Sequence, residues 1–319
     1  MSKRAVTVII PAYNTAPFIG ETVQSVFAQT LTDYEVIVIN DGSPDTRELE
    51  AALAPYRDRI HYIVQENRGL SAARNTGIRA AETDLVAFLD SDDLWEPDYL
   101  ATQLGMMRGD PSIDVLYPNA TTFGDARRDG RLFMDIHPSN GQATFESVLT
   151  QRCNVMVSVT AKREVIVAAG MFDESLRSSE DFDLWLRILR QGGRIAYHRR
   201  PLVRSRLRAG SLSADPVWMC QHILAVLDKV GHTPLTEAER AGVAARRAFY
   251  QATLRLHQSR RAFFNGDAKQ AIDGLAEANS HFGSPKISLA LLMLRLAPNL
   301  LLRAYDLRDR LVFRTSTKC

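Results

Sequence analysis

Cysteine is scarce in this chain, and neither sign of charge dominates. Only three cysteines, Cys153, Cys220 and Cys319, occur in 319 residues, and their spacing forms neither a zinc site nor a disulfide framework. We therefore expect a reducing, cytoplasmic compartment. Lysine and arginine number 39 against 37 aspartate and glutamate residues, which leaves a net charge of +2. This balance gives no electrostatic reason to expect a nucleic-acid partner.

Long hydrophobic runs are also missing. A membrane-spanning helix needs roughly 18 uninterrupted apolar residues. The nearest candidate, residues 287–302, is interrupted by Arg295 and Pro298. The apolar segment at residues 6–10 is followed at once by Pro11 and carries no signal-peptide cleavage region. The sequence therefore predicts a chain that does not cross a membrane.

What the sequence does contain is the pattern of an α/β protein. Hydrophobic residues make up 45% and charged residues 24% of the chain, as in ordinary globular proteins. Near the start of the chain, apolar strand-like segments alternate with helix-like ones. The strands are predicted at residues 6–10, 34–39, 60–64 and 84–89, and the helices at 17–28, 46–56 and 71–80. This alternation predicts a Rossmann-like, mostly parallel sheet flanked by helices.

Farther along the chain the elements are less regular. We predict a helix at 96–108, a flexible loop at 125–141, a strand at 154–160, a helix at 163–169, a helix opening at Ser179 and a short strand at 195–198. Beyond about residue 215, segments rich in Ala, Leu and Arg predict helices. Residues 263–271 resemble one tetratricopeptide hairpin, without a visible repeat array. We therefore divide the chain into a first domain at 1–214 and a helical C-terminal region at 215–319.

Polar residues follow each of the four predicted strands at the point where the strand ends. They lie at residues 11–14, 40–43, 65–69 and 90–93. Ligands of open α/β sheets bind beyond the carboxyl ends of the strands. Four polar strand ends on one edge therefore predict a binding site there.

The turn after the fourth strand is the most acidic of these, with Asp90, Asp92 and Asp93 among four residues. Like charges placed together usually need a cation or polar surroundings. Carboxylate oxygens suit Mg²⁺ or Mn²⁺, which hold substrate phosphates in many enzymes. Alternatively, the turn is solvated and Asp92 or Asp93 caps the following helix. Taken alone the turn favours the cap, whereas together with the other strand ends it favours a metal–diphosphate site.

Five segments resemble the motifs of the family 2 glycosyltransferases, which have the GT-A fold. They are residues 8–14 (VIIPAYN), 38–43 (VINDGS), 67–77 (NRGLSAARNTG), 88–93 (FLDSDD) and 179–185 (SEDFDLW). The resemblance covers about residues 5–213 in the family's order and leaves the C-terminal hundred residues outside. It implies the GT-A fold for the first domain, with a helical appendage after it.

For the donor, the resemblance implies that Asp41 accepts a hydrogen bond from the imide N–H of a uracil or thymine base. Asp92 would be the principal ligand of Mg²⁺ or Mn²⁺. Asp90 would contact the ribose or the coordination shell of the metal. Further donor contacts are implied for Pro11, Ala12, Tyr13, Asn14, Arg74, Asn75 and Ser91. The alternatives are that residues 41–43 form only a turn and that Arg68, after the third strand, is a solvated loop charge.

For the reaction, the resemblance implies that Asp181 is the base that takes the proton from an acceptor hydroxyl, as an inverting transfer requires. Glu180 would hold the acceptor or the loop, and Trp185 would contribute to substrate binding. Alternatively, the acidic residues at 180–183 only complement the dipole of the helix that they open. Their position downstream of the acidic turn leads us to favour catalysis.

Arg208 stands where many members of that family have a histidine. Arginine can neutralise a phosphate but cannot ligate a metal as a neutral imidazole can. We therefore assign Arg208 to the diphosphate and not to the metal, and an exposed basic loop explains it equally well.

The C-terminal segment from residue 287 combines leucines with Arg295, Arg303, Arg308 and Arg310. A basic amphipathic helix binds anionic membrane surfaces and would suit a lipid-linked acceptor, with the protein at the inner face of the membrane. Packing on its own domain, or on a second copy in a homo-oligomer, explains the pattern as well. We favour the packed arrangement.

Together these features predict an inverting, metal-dependent glycosyltransferase. It would move a sugar from a UDP- or dTDP-type nucleotide sugar to the hydroxyl of a saccharide or lipid-linked acceptor, in cell-surface polysaccharide or glycolipid synthesis. One alternative is a non-catalytic nucleotide-sugar-binding or scaffold protein on the same fold. A sugar-phosphate nucleotidyltransferase is less favoured, because the first strand ends in Pro-Ala-Tyr-Asn rather than in a Gly-rich phosphate loop.

Overall fold

A computed structural model of the chain describes residues 4–125, 128–156, 158–208, 211 and 214–297. The chain divides into two compact units, Met1–Arg208 and Ala209–Cys319. The first unit carries the sheet and the second contains helices, so each unit is described by itself. The functional roles that we predict for residues 1–214 and 215–319 remain predictions.

The first unit contains an eight-stranded sheet in the order β3-β2-β1-β4-β7-β6-β8-β5. The strands are β1 Val6–Ala12, β2 Tyr34–Asp41, β3 His61–Gln65, β4 Leu85–Phe88, β5 Leu94–Trp95, β6 Val115–Phe123, β7 Thr160–Lys162 and β8 Ile195–Arg206. The first four strands run parallel, as do β6 and β8, whereas β7 and β5 pair antiparallel with their neighbours. All seven residues of β1 are buried, as expected of a central strand covered on both faces. The predicted mostly parallel sheet is confirmed.

Helices flank this sheet. They are α1 Ala16–Phe27, α2 Thr46–Leu53, α3 Leu70–Ala80, α4 Tyr99–Gly109, α5 Phe133–Ile136, α6 Phe145–Leu149, α7 Arg163–Ala168 and α8 Glu180–Arg190. In α1 the buried residues Ile19, Thr22, Val23 and Val26 follow helical spacing, and a proline stands in the first turn. The helices predicted from this spacing in the first domain are therefore confirmed within a few residues at their ends.

Four parts of the sheet differ from the prediction. The strand predicted at 154–160 is wrong, because strand pairing begins only at Thr160 among the described residues. Strands β5 and β6 were not predicted, and β8 extends to Arg206 instead of ending at residue 198. Residues 199, 200 and 204 of β8 are charged and exposed. The sequence of β8 therefore does not show the regular alternation of apolar and polar residues that is typical of a strand. The length of β8 is determined by its pairing with the largely buried β6. Tertiary context thus overrides local propensity in this strand.

Gly77 brings α3 close to the sheet beneath the strand ends. A Cβ atom at this position would overlap Cγ2 of Ile9 and lie 3.1 Å from Cδ1 of Ile39. Only glycine leaves room for this approach between the helix and strands β1 and β2. Gly77 therefore determines how close α3 lies to the sheet. It thereby also determines the positions of the polar residues on α3.

The second unit contains α9 Pro216–Gly231, α10 Glu237–Phe264, α11 Ala268–Phe282 and α12 Pro285–Leu296. The predicted helix–turn–helix at 263–271 is confirmed as the junction of α10 and α11, with Gly266 at φ 82° in the turn. A small core joins the last three helices, and it consists of Ala262, Phe263, Ala271, Leu275 and Leu294. Of the predicted basic segment, residues 298–310 lie outside the described residues. In the described part of the chain, no helix has the length and apolar character needed to span a membrane.

Candidate active site

The carboxyl ends of the parallel strands β1, β2, β3 and β4 meet at one edge of the sheet, and hydrogen bonds join them. The backbone N–H of Asn14 donates to Oγ of Ser43 at 2.7 Å, which connects the first strand end to the second. The backbone N–H of Leu89 donates to the carbonyl of Ile9 at 3.1 Å, which connects the fourth to the first. The strand ends that we grouped from the sequence therefore lie together.

Asp41 holds the loop that follows β3. Its buried carboxylate accepts hydrogen bonds from the backbone N–H groups of Arg68 and Gly69, at 3.0 and 2.8 Å, and from Gln65 at 2.7 Å. Gly42, at φ 62°, allows the loop to approach, because a Cβ there would lie 2.6 Å from the backbone nitrogen of Asn67. A carboxylate has about four acceptor sites. Three are used within the chain, which leaves room for one ligand donor.

The first strand end presents two kinds of residue. Pro11 and Ala12 are buried within β1, whereas Tyr13 and Asn14 are exposed. Tyr13 keeps 49% of its surface accessible, and Asn14 adopts the left-handed region at φ 53°. Because a large aromatic side chain is exposed at a strand end, Tyr13 is the better candidate for a ligand contact. Pro11 and Ala12 shape the edge through their backbone.

The acidic turn does not cap the following helix. Helix α4 begins at Tyr99 with Asp98 at its N-cap position, so the capping alternative for Asp92 and Asp93 is wrong. Asp93 instead accepts a hydrogen bond from the backbone N–H of Arg206 at 2.7 Å. Ser91 is buried, and its carbonyl accepts a hydrogen bond from Oγ1 of Thr22 at 3.0 Å. These bonds connect the turn to β8 and to α1.

The carboxylates of this turn are held in an environment that disfavours negative charge. Burial raises the pKa of Asp92, the nearby charge of Asp90 raises it further, and Arg208 opposes both. Burial also raises the pKa of Asp93 well above its ordinary value, with added repulsion from Asp90 and Asp92. A nearby positive charge would therefore stabilise the ionised form of Asp92.

The donor set of this turn fits a divalent cation that is also held by its substrate. No group of three or more metal-ligating side chains occurs among the residues that the structure describes. Asp90 and Asp92 offer two carboxylates, and Mg²⁺ is commonly bound through one or two carboxylates plus substrate phosphates and water. The arrangement therefore suits a metal–diphosphate complex better than a metal held by protein alone.

Arg74 lies beneath the turn and joins it to helix α8. Its side chain is 1% exposed, donates to Oδ1 of Asp90 at 2.8 Å and also bonds to Glu180. Burial alone would lower the pKa of Arg74, but the charges of Asp90 and Glu180 more than offset it. A guanidinium so enclosed is poorly placed to touch a nucleotide directly, contrary to our expectation for Arg74. It positions the two carboxylates instead.

Asn75 and Trp185 are also buried. The side chain of Asn75 donates to the carbonyl of Phe172 at 2.8 Å and accepts from the N–H of Phe172 at 3.0 Å. Trp185 is 1% exposed and packs edge-on against Phe172. This burial argues against direct substrate contact by either side chain. Both support the loop that leads to α8.

Asp181 lies in the first turn of α8, directly after Glu180, which bonds to Arg74. Ser179, two residues earlier, has φ 58° and ψ 22°. This left-handed conformation is unusual for a residue other than glycine. Burial raises the pKa of Asp181 to about 7, the charge of Glu180 adds to this effect, and Arg74 opposes it. A carboxylate that titrates near neutral pH is suited to take a proton in catalysis.

Arg206 is a site residue that we did not single out from the sequence. Its side chain donates to the carbonyl of Asp92 at 2.8 Å and to Glu21 at 2.7 Å. The signal was present in the sequence, because Arg204, Arg206 and Arg208 alternate as residues on one face of a strand do. We had predicted that β8 ends before them. Nε of Arg208 donates to Oδ2 of Asp92 at 2.6 Å, and its contact with a diphosphate remains a prediction.

Residues 7–167 match the model of glycosyl transferase family 2. The chain belongs to this family. The family and the GT-A fold predicted from the sequence are confirmed. The family model ends before α8, so Glu180, Asp181 and Arg208 lie outside the matched residues.

Curated glycosyltransferases are similar to about two thirds of the chain. The chain is 32% identical to the chondroitin synthase of Escherichia coli over 203 residues, which are 61% of this chain and 28% of that protein. It spans between 26% and 64% of the length of curated relatives of this kind.

Solved structures share the fold at low identity. The mannosyltransferase PcManGT from Pyrobaculum calidifontis, solved with GDP-Man and Mn²⁺, aligns with a TM-score of 0.62 at 20% identity over 96% of this chain and 84% of that one. TarS 1–349 from S. aureus, solved with UDP-GlcNAc, aligns with a TM-score of 0.59 at 18% identity over 91% of this chain and 87% of that one.

Proposed function

We propose that this family 2 glycosyltransferase transfers a sugar from a nucleoside-diphosphate sugar to an acceptor hydroxyl, with inversion and with Mg²⁺ or Mn²⁺. One observation carries the proposal. Arg74 joins the acidic turn of Asp90 to the start of α8, where Asp181 has a pKa of about 7. A diphosphate anchor and a proton acceptor are therefore built into one connected site.

The donor would bind across the ends of the first four strands. Asp41 has an acceptor site left for the imide N–H of a uracil or thymine base, and the exposed ring of Tyr13 offers a surface for stacking. The nucleotide-sugar complexes of TarS and PcManGT support a nucleotide-sugar donor in general. They contain different bases, so the preference for UDP or dTDP rests on Asp41.

Asp90 and Asp92 would hold the divalent cation together with the diphosphate. Such a cation offsets the negative charge that develops on the departing nucleoside diphosphate. Arg206 keeps the turn in place through the carbonyl of Asp92, and Arg74 fixes Asp90 from below. The carboxylates are thus positioned before the donor arrives.

Asp181 would act as the base. As the acceptor oxygen attacks the anomeric carbon, its proton passes to the Asp181 carboxylate, and the bond between that carbon and the diphosphate oxygen breaks. Retention through a covalent intermediate would need a second carboxylate as nucleophile, by analogy with retaining hydrolases. Glu180 is buried and engaged by Arg74, so it is not free to act as that nucleophile, which supports inversion.

The acceptor would be a saccharide or a lipid-linked sugar. Similarity to a chondroitin synthase supports a role in polysaccharide synthesis. Helix α12 exposes Leu289, Leu292 and Leu296, by 58%, 52% and 76%, and also exposes Lys286 and Arg295. The helix carries no acidic residue, so this face suits an anionic membrane surface as well as a second copy of the chain.

Titration of the protein with UDP-, dTDP- and GDP-sugars, with and without Mn²⁺, tests the donor assignment. We expect binding of a uracil or thymine nucleotide that strengthens with Mn²⁺ and weakens in Asp41→Ala. Arg79→Ala, on the exposed side of α3, serves as the matched control. Absence of binding to every nucleotide sugar in the presence of Mn²⁺ would remove the proposed function.

A further inference from the structure

A cation of the chain itself already neutralises one of the carboxylates that we assign to the metal. Nε of Arg208 donates to Oδ2 of Asp92 at 2.6 Å, and both side chains are largely shielded, with 26% and 17% of their surfaces exposed. The guanidinium also lies 5.5 Å from the ring centre of Phe18. One oxygen of the Asp92 carboxylate is thus paired with arginine in the free protein.

Among the described residues, Arg208 makes fewer hydrogen bonds than its neighbour Arg206. The side chain of Arg206 bonds to the carbonyl of Asp92 and to Glu21, while its backbone N–H bonds to Asp93. Strand β8 ends at Arg206, and Leu207 makes one further backbone bond, to the carbonyl of Phe123 at 2.7 Å. Arg208 follows these anchors. Its side chain can leave Asp92 without unpairing the strand.

We propose that Arg208 is an exchangeable counter-ion that couples metal binding to diphosphate binding, an inference that rests on the proposed function. In the free protein the guanidinium balances Asp92. When a divalent cation binds Asp92, the guanidinium is released and pairs with the diphosphate, to which its planar donors are well matched.

The charges of the site explain why exchange is needed. Asp92 is partly buried beside Asp90, so a positive partner stabilises its ionised form. A divalent cation bound to Asp92 and the guanidinium on its Oδ2 would repel each other at close range. A metal without nucleotide must therefore displace Arg208 at a cost, and a diphosphate removes that cost by giving Arg208 a new partner. The two ligands consequently favour each other's binding.

Calorimetric titration of Mn²⁺ alone into the wild type and Arg208→Gln tests the first half of this proposal. We expect Arg208→Gln to bind Mn²⁺ at least about fivefold more tightly, because the competing cation is gone. Arg200→Gln is the matched control, since Arg200 is exposed and pairs with Asp98 rather than with the acidic turn. Its affinity for Mn²⁺ should equal that of the wild type, and thermal unfolding of each variant checks that it is folded.

Titration of Mn²⁺ in the presence of saturating UDP tests the second half. In the wild type, UDP should increase the affinity for Mn²⁺. In Arg208→Gln this increase should be at least about fivefold smaller than in the wild type. Equal or weaker Mn²⁺ binding by the folded variant, or an unchanged effect of UDP, would overturn the exchange. These results differ from failure of the proposed function, in which the wild type would bind neither UDP nor a nucleotide sugar. Failure of every variant to bind Mn²⁺ would overturn both the metal assignment and the exchange.

Discussion

At the scale of single residues, the environment of Asp181 makes a prediction about pH. The base must be ionised to accept a proton, and its pKa is raised to about 7 by burial and by Glu180. We therefore expect kcat/KM to fall below pH 7 and to approach a tenfold loss for each pH unit. A pH–rate profile from 5 to 9 measures this fall, and a flat profile down to pH 5 would contradict the assignment.

Arg74 makes a prediction about stability. Replacing it by methionine would remove the cation shared by Asp90 and Glu180 and leave both carboxylates without their partner. Breaking a buried ion pair from one side costs about 3–5 kcal/mol. We expect urea unfolding to show a loss of this order for Arg74→Met. Arg79→Met, on the same helix but half exposed, should change stability by no more than about 1 kcal/mol, and an equal loss in both variants would contradict the buried role of Arg74.

At the scale of elements, the close packing of α3 on the sheet depends on Gly77. An alanine there would overlap Ile9 and crowd Ile39, and overpacking a close contact typically costs about 1–3 kcal/mol. Gly105 in α4 is a matched control, because a Cβ there would meet no atom within 4 Å. Alanine at Gly105 should stabilise its helix by up to about 1 kcal/mol. Unfolding midpoints that shift in opposite directions would agree with this account, whereas a stabilising Gly77→Ala would contradict it.

The elements also show how far the sequence predicts this fold. Strands β1 and β2 were predictable because their residues are apolar almost without interruption, which is the pattern of a strand buried on both faces. Strand β8 was only partly predictable. Its residues 199, 200 and 204 are charged and exposed, and its length is determined by pairing with β6, which no local pattern reveals.

The same division holds for the candidate site. The strand ends that carry Asp41 and Asp90 were predictable because parallel strands place their carboxyl ends at one edge. The role of Arg74 was not, because Glu180 lies 106 residues away in the chain and their contact depends on tertiary packing. The pairing of Arg208 with Asp92 was hidden for the same reason.

At the scale of the whole molecule, the net charge of +2 is small, so any attraction to an anionic surface must be local. Helix α12 offers such a place through its exposed leucines and its two basic residues. We expect the protein to sediment with vesicles that contain phosphatidylglycerol and to remain in solution with neutral vesicles, and Leu292→Glu should weaken this binding at least about tenfold. Val167→Glu, at an exposed valine of the first unit, should not. Equal binding by all three proteins would contradict a membrane role for α12.

We propose that one connected site of the molecule binds the diphosphate and supplies the base. Metal-dependent release of nucleoside diphosphate from the bound nucleotide sugar, measured for the wild type and for Asp181→Asn, tests this proposal. We predict release by the wild type that stops when the metal is chelated, and release by Asp181→Asn that is at least about a hundredfold slower while nucleotide binding is retained. Release by Asp181→Asn at the wild-type rate, or wild-type release that is unaffected by chelation, would contradict the account.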